Sequence, residues 1–220
     1  IESAEHANAR ERYLIHEPMA GALGIGLDVE LPEGNMIIDI GGGTTDVAVI
    51  ALSGIVTDQS IRVAGDDFTM DIVEYVKRQH NILIGERTAE QVKIHVGSAL
   101  QDLENPPEDF AVHGRDLLTG IPKQVTVAYS EIAGCLDKSI SKIEEAIMKA
   151  LESTPPELAS DIYRKGIYLT GGGALLRGLD KRIAMKTKLP VKVADDPLRA
   201  VVRGTGIALK NRHRYTFLMS

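Results

Sequence analysis

The octapeptide Asp39-Ile40-Gly41-Gly42-Gly43-Thr44-Thr45-Asp46 gathers the residue types that hold a polyphosphate. Three residues without Cβ let backbone N–H groups converge on an anion. Thr44 and Thr45 add hydroxyls that can donate to a phosphate or orient a water, and Asp39 stands where its carboxylate can hold a metal-bound water. Mg²⁺ held through phosphates and waters suits so sparse a carboxylate set. A tight hairpin with glycines for geometry alone is the other reading of this triplet. A second triplet, in Thr170-Gly171-Gly172-Gly173-Ala174-Leu175-Leu176, opens a helical pattern running from Ala174 to about Thr187. Its free N–H groups and the positive end of the helix dipole can face a nucleotide. It is not a Walker loop, because no Gly-Lys-Ser/Thr follows, and the dinucleotide fingerprint with an acidic residue about 20 positions on is missing. On its own this segment also reads as a close strand-to-helix turn.

Each triplet follows a short apolar run, Met36-Ile37-Ile38-Asp39-Ile40 and Ile167-Tyr168-Leu169, that reads as a buried strand. Open α/β sheets bind ligands at the carboxyl ends of their strands, so the two turns suit one site. Val47 to Ile50, then Ile55-Val56 and Ile61-Arg62-Val63 beyond the Ser53-Gly54 turn, complete a meander of three neighbouring strands. Upstream, Ile1 to Ala9 reads as the tail of a helix without a cap, as though the domain began earlier. Tyr13-Leu14-Ile15 reads as a buried strand, and Pro18 as the first residue of a helix to about Gly24, which puts Glu17 at a strand-to-helix corner.

From Asp66 the period becomes helical, with Phe68, Ile72, Val73 and Val76 on one face, and a second helix is predicted from Thr88 to about Val96, broken off by Asn105-Pro106-Pro107. Alternation at Phe110 to Val112 and Gln124 to Val127 predicts a small sheet. Ile132, Leu136, Ile140, Ile143, Ile147 and Leu151 then trace the clearest amphipathic helix. Thr154, Pro155 and Glu157 form a capping box for the next helix, Val191 to Val193 is a strand, and Asp196-Pro197 starts the last helix.

At 220 residues and 44% hydrophobic, the chain can fill a sizeable core, and with no Trp and 4% aromatics that core is aliphatic, as in layered α/β proteins. A net charge of -6 argues against nucleic acid as a partner, since phosphate backbones are held by clustered Lys and Arg. The single cysteine, Cys135, sits in an apolar run and reads as a small core residue, which fits a reducing cytoplasm. No apolar run of about 18 residues and no signal-like start is visible. His6, His16, His80, His95, His113 and His213 lack ligand spacing for zinc. The segment Lys210 to Met219 mixes basic and apolar residues; it reads as a frayed terminus, with contact to an anionic membrane as the alternative.

Glu17 through Gly24, Asp39 through Asp46, Gly85 through Lys93, Thr154 through Ile162 and Leu169 through Leu176 together resemble the MreB family of actin-like proteins, in the right order across essentially the whole chain. The resemblance implies an α/β fold of the actin-like (ribonuclease H-like) ATPase type, comprising the second domain plus the end of the first. Residues 1–30 would end the first domain, 31–66 and 153–196 form the second large subdomain, 67–152 an inserted small subdomain, and 197–220 a return helix and tail. It covers only the later part of a family member; the phosphate-1 loop and the following small subdomain have no counterpart. By the same resemblance, Gly41, Gly42, Gly43 and Thr44 surround the β- and γ-phosphates of ATP, Asp39 faces the Mg²⁺ shell, and Glu17 with Thr44 orients the attacking water. Glu90, Gln91, Val92 and Lys93 flank the ribose and base, and Gly171, Gly172, Gly173 and Ala174 wall the adenine and α-phosphate side. Read from the residues alone, Glu17 is a carboxylate favoured by a helix start, and Glu90 and Lys93 are a solvated ion pair. His16 and Gly21 depart from the family pattern, which has an acidic residue and Ala there.

The implied activity is ATP binding and hydrolysis coupled to polymerisation in the complete protein, with this stretch inactive alone. The implied setting is cytoplasmic: head-to-tail filaments of the protein with itself on the inner face of the cytoplasmic membrane, working with membrane proteins of cell-wall elongation to set rod shape. A sugar or acetate kinase would need an acceptor pocket and a base beside the γ-phosphate, and neither is identifiable. A chaperone ATPase of the seventy-kilodalton heat-shock type shares the Asp-x-Gly-Gly-Gly-Thr turn but continues into a β-rich domain.

Overall fold

The computed structural model describes residues 11–219; the helix expected at the start of the chain lies outside them. Two sheets organise the chain. The larger has five strands in the order β3-β2-β1-β7-β8, formed by β1 (Asn35–Ile40), β2 (Thr45–Ala51), β3 (Gly54–Ile61), β7 (Ile167–Thr170) and β8 (Val191–Val193). β1, β2 and β3 are the antiparallel meander, whereas β7 pairs parallel to β1 and β8 parallel to β7. The second sheet has three strands, β4 (Ile82–Leu83), β5 (Phe110–Asp116) and β6 (Pro122–Val127), all antiparallel.

A period of two sorts the side chains of the large sheet between its faces. Met36, Ile38, Ile40, Val47 and Val49 enter one core, and Ile37, Ala48 and Ile50 enter another. The first face is covered by α4 (Tyr129–Glu152) and α5 (Pro156–Lys165). Against the small sheet pack α2 (Gly65–His80) and α3 (Glu86–Val96), which also meet α4, and one continuous apolar cluster runs from Met36 through Phe68, Val112 and Ile143 to Ile183. The helical spacing of Ile132, Leu136, Ile140, Ile143 and Ile147 brings all five to 0% exposure, where each aliphatic side chain contributes roughly 1.5–3 kcal/mol. Between α5 and β8 lies α6 (Leu179–Thr187). The opposite face of the large sheet carries α1 (Glu17–Gly24) and α7 (Ala200–Lys210), which cross backbone to backbone: a Cβ on Gly24 would stand 1.8 Å from Ala200 O, and one on Gly204 1.7 Å from Ala20 O. Gly21 is less constrained, because a Cβ there would crowd only the flexible end of Ile37, Cδ1 at 3.2 Å.

Several local readings are corrected. Residues 13–15 do not form a strand; Leu14 makes one isolated bridge with Met219 and is 45% exposed. Its partner is the chain's tail, which is docked and not frayed: Tyr215 is 9% exposed in the second core and stacks on Phe217. Thr154 does not cap α5, because its hydroxyl donates back to Ala150 O at 2.6 Å and Pro155 takes the cap position. The helix expected from Ala174 starts only at Leu179; a 3₁₀ turn over Gly172–Leu175 precedes it, and Gly178 at φ 73° separates the two. The two segments expected after Ser53-Gly54 are one strand, β3, and β4 was not foreseen.

Candidate functional site

β1 and β7 run side by side and end together, with Asp39 opposite Thr170 in the parallel register, so the two glycine triplets emerge from one sheet edge. The contact between them is tight. A Cβ on Gly171, whose φ is +80°, would fall 2.3 Å from Ile40 O, and one on Gly173 2.2 Å from Ile40 Cγ2. These two glycines are demanded by packing. Gly43 is different: it is exposed, and a Cβ there would meet nothing within 4 Å.

The first turn closes with Gly41 N–H donating to Thr44 O at 2.9 Å, which leaves Gly42, Gly43 and Thr44 exposed at its tip. Among the described residues no protein group accepts the N–H of Gly42, Gly43 or Thr44, nor that of Gly172 or Gly173 in the neighbouring turn. Open backbone donors on adjoining loops are an anion cradle in the making. The helix dipole invoked for the second triplet is absent, because the 3₁₀ turn is one turn long.

Asp39 lies on the α1 face of β1, 4% exposed, with Oδ2 buried and without a hydrogen-bond partner. Burial, then the charges of Glu17 and Asp46, push its carboxyl up to about 6. Asp46 faces Asp39 directly across the β1–β2 pair, and Glu17 opens α1 above them with Pro18 in the first turn. A buried carboxylate oxygen with no donor, set beside two more carboxylates, suits a hydrated divalent cation, which would supply the missing partner and offset the crowding of charge. Among the described residues no three His, Cys, Asp or Glu side chains can hold a metal by themselves, so a cation here needs ligands from water or phosphate as well.

Of the Glu90–Lys93 pair only the lysine is largely buried; the Glu90 side chain is 46% exposed. Lys93 is 16% exposed, and its ammonium lies 2.7 Å from Glu90 Oε2, 2.8 Å from Gly65 O and 3.0 Å from Thr69 Oγ1. Burial of Glu90 is outweighed by the hydrogen bonds from Lys93 and Thr69, which hold its carboxyl below the usual range. Gln91 is exposed on α3, whereas Val92 (0% exposed) and Ala174 (3%) are buried in the apolar core. Three residues beside the turns escaped the sequence reading: Asp66, whose carboxylate stands 3.4 Å from where a Gly42 Cβ would be, Asp46, and Thr69. Asp46 was visible as the end of the octapeptide, but nothing local marked Asp66 or Thr69. A separate cavity of about 420 Å³, edged by Leu100, Ala133 and Met185, lies away from the turns, and its Arg182 is already held at 2.8 Å by both Glu144 and Asp137.

A sequence model of the MreB/Mbl protein family matches residues 1–216. The chain is 50% identical over 209 residues to the cell shape-determining protein MreB of Escherichia coli strain K12, covering 95% of this chain and 60% of that protein. It is 46% identical over 210 residues to the cell shape-determining protein Mbl of Bacillus subtilis strain 168, covering 96% and 62%. The crystal structure of MreB5 of Spiroplasma citri bound to ADP superimposes with a TM-score of 0.92 at 43% identity, over 96% of this chain and 64% of that one. The chain thus spans about three-fifths of the length of the curated relatives it matches.

Proposed function

Because the chain belongs to the MreB/Mbl family and has its actin-like fold, we propose that the two glycine turns and Asp39 are the phosphate-binding side of an ATP site, completed in a protein of its relatives' length. The observation that carries this reading is the set of open amides at Gly42, Gly43, Thr44, Gly172 and Gly173 beside the orphaned Asp39 Oδ2. The ADP bound by Spiroplasma citri MreB5 supports it. In this reading the amides grip the phosphates, and Asp39 accepts from the water shell of Mg²⁺. Mg²⁺ when bound would neutralise phosphate charge. Glu17 and Thr44 orient the attacking water, since in phosphoryl transfer positioning supplies most of the acceleration. Glu90 and Gln91 border the ribose, and 67–152 is the small subdomain inserted into the second domain.

The same reading extends to a head-to-tail filament, a heterologous repeat that does not close, with nucleotide state setting its stability. The relatives' designation as cell shape-determining supports a role in cell shape; in this reading the filament would act along the inner face of the cytoplasmic membrane with cell-wall elongation proteins. No helix among the described residues is long and apolar enough to cross a membrane, so attachment there would be peripheral for this part of the protein.

Calorimetry with Mg-ATP tests the site. The longer protein is expected to bind, this chain alone to bind weakly, and Gly43→Val to abolish binding in the longer protein. Wild-type affinity in Gly43→Val would refute the phosphate assignment, and failure of the longer protein to pellet with ATP would refute the filament.

A further inference from the structure

We infer that Thr45 is a positioning residue whose hydroxyl fixes the backbone strap that clamps the first glycine turn, and that it meets no phosphate itself; this role rests on the phosphate reading above. Successive residues of a strand point to opposite faces. Thr44 stands exposed at the tip of the turn, whereas Thr45, the first residue of β2, is 0% exposed opposite Ile40. It shares the face of Val47 and Val49, away from the face that carries Asp39 and Asp46. There its hydroxyl donates to Val63 O at 2.7 Å. A hydroxyl has one proton to give, so none remains for a phosphate or an attacking water. Val63 lies just past the end of β3, and its carbonyl shares a planar peptide with the N–H of Ala64. That N–H donates to Asp67 Oδ2 at 2.9 Å, so the peptide is held on both edges. The next two N–H groups of the strap both reach the turn: Gly65 donates to Gly41 O at 3.1 Å and Asp66 to Gly42 O at 2.8 Å. The strap lies so close that a Cβ on Gly65 would stand 3.1 Å from Gly41 O. Each carbonyl held in this way shares its plane with the N–H that follows, so fixing Gly41 O and Gly42 O sets the direction of the open amides of Gly42 and Gly43. Thr45 thus aims the cradle from inside the core, and its loss would leave the buried Val63 carbonyl without this donor and the strap free to shift.

Two variants test this, Thr45→Val, which removes the hydroxyl and keeps the shape, and Thr45→Ser, which keeps the hydroxyl. Both are compared with wild type in the longer protein, by amide hydrogen exchange without nucleotide and by calorimetric affinity for Mg-ADP and for AMP, whose single phosphate would lie at the second turn. In Thr45→Val, exchange at Gly65 and Asp66 is expected to quicken and ADP affinity to fall about fivefold, the effect of one hydrogen bond, with AMP affinity unchanged. Thr45→Ser is expected to match wild type in all three. A merely structural role would move AMP and ADP together, so an equal loss for both would overturn the inference, as would unchanged exchange at Asp66 in Thr45→Val. Should Thr45→Val not fold, Thr45→Ser decides, because faster exchange at Gly65 and Asp66 there would assign the effect to the methyl group and overturn the inference. A wild type that binds neither nucleotide refutes the phosphate reading instead, while exchange at Asp66 still decides whether Thr45 holds the strap.

Discussion

Gly171 approaches Asp39 so closely that a Cβ on it would stand 2.4 Å from the carboxylate's Oδ1. With φ at +80° and Ile40 O as near, Gly171→Ala has no relaxed geometry and is expected to lose ~2–4 kcal/mol of stability. Gly43→Ala, in open space, is expected to change stability by less than ~0.5 kcal/mol while weakening nucleotide binding. Urea denaturation of the two variants checks the contrast; equal destabilisation would show that the first turn is also packed.

Asp39 makes stability depend on pH. Between its ordinary value of 3.8 and about 6, the folded protein holds a proton that the unfolded chain has released, so stability falls as pH rises through that window. The order of magnitude is ~3 kcal/mol above pH 6. Asp39→Asn is therefore expected to be more stable than wild type near neutral pH by ~1–3 kcal/mol, to lack this decline, and to bind Mg-ATP poorly. Denaturation curves on either side of the window decide; an unchanged slope in the variant contradicts the assignment.

Glu17→Ala in the longer protein is expected to slow phosphate release in a single turnover while leaving ATP affinity and polymerisation largely intact, because Glu17 would meet only the attacking water. A rate within about twofold of wild type, a loss of only ~0.4 kcal/mol, would return Glu17 to a helix-start carboxylate.

The docked tail carries stability. Tyr215→Ala is expected to cost ~2–4 kcal/mol by emptying a filled position in the second core. A melting temperature unchanged from wild type would mean that the tail contributes no packing energy.

The parts legible in the sequence are those governed by local rules. Ile132 to Leu151 could be nothing but a helix, and the two apolar runs before the glycine triplets could hardly be anything but strands. What failed depended on distant partners. Ala174 to Arg177 has helical composition, but Ala99 N–H donates to Arg177 O at 2.8 Å and a bridge joins Ser98 to Arg177, so the backbone is drawn out of the helix. Leu14 pairs with Met219, a separation no window spans. The site was legible as a motif but not as a geometry: Asp39 and Glu17 could be named, whereas the inward turn of Val92 and the peptide held by Lys93 appear only once α2 and α3 are packed.

The parallel pairing of β1 with β7 also sets a schedule for biosynthesis. Asn35 and Lys165, joined at 3.0 Å, are 130 residues apart. At ~5–20 residues per second a ribosome needs roughly 7–26 s to make that stretch. For this interval a strand whose every residue ends up buried has one edge without its partner, and such an edge invites pairing with other chains. The first glycine turn can close within the β1–β2 hairpin, but the second follows β7, so the two turns stand together only once β7 has been made.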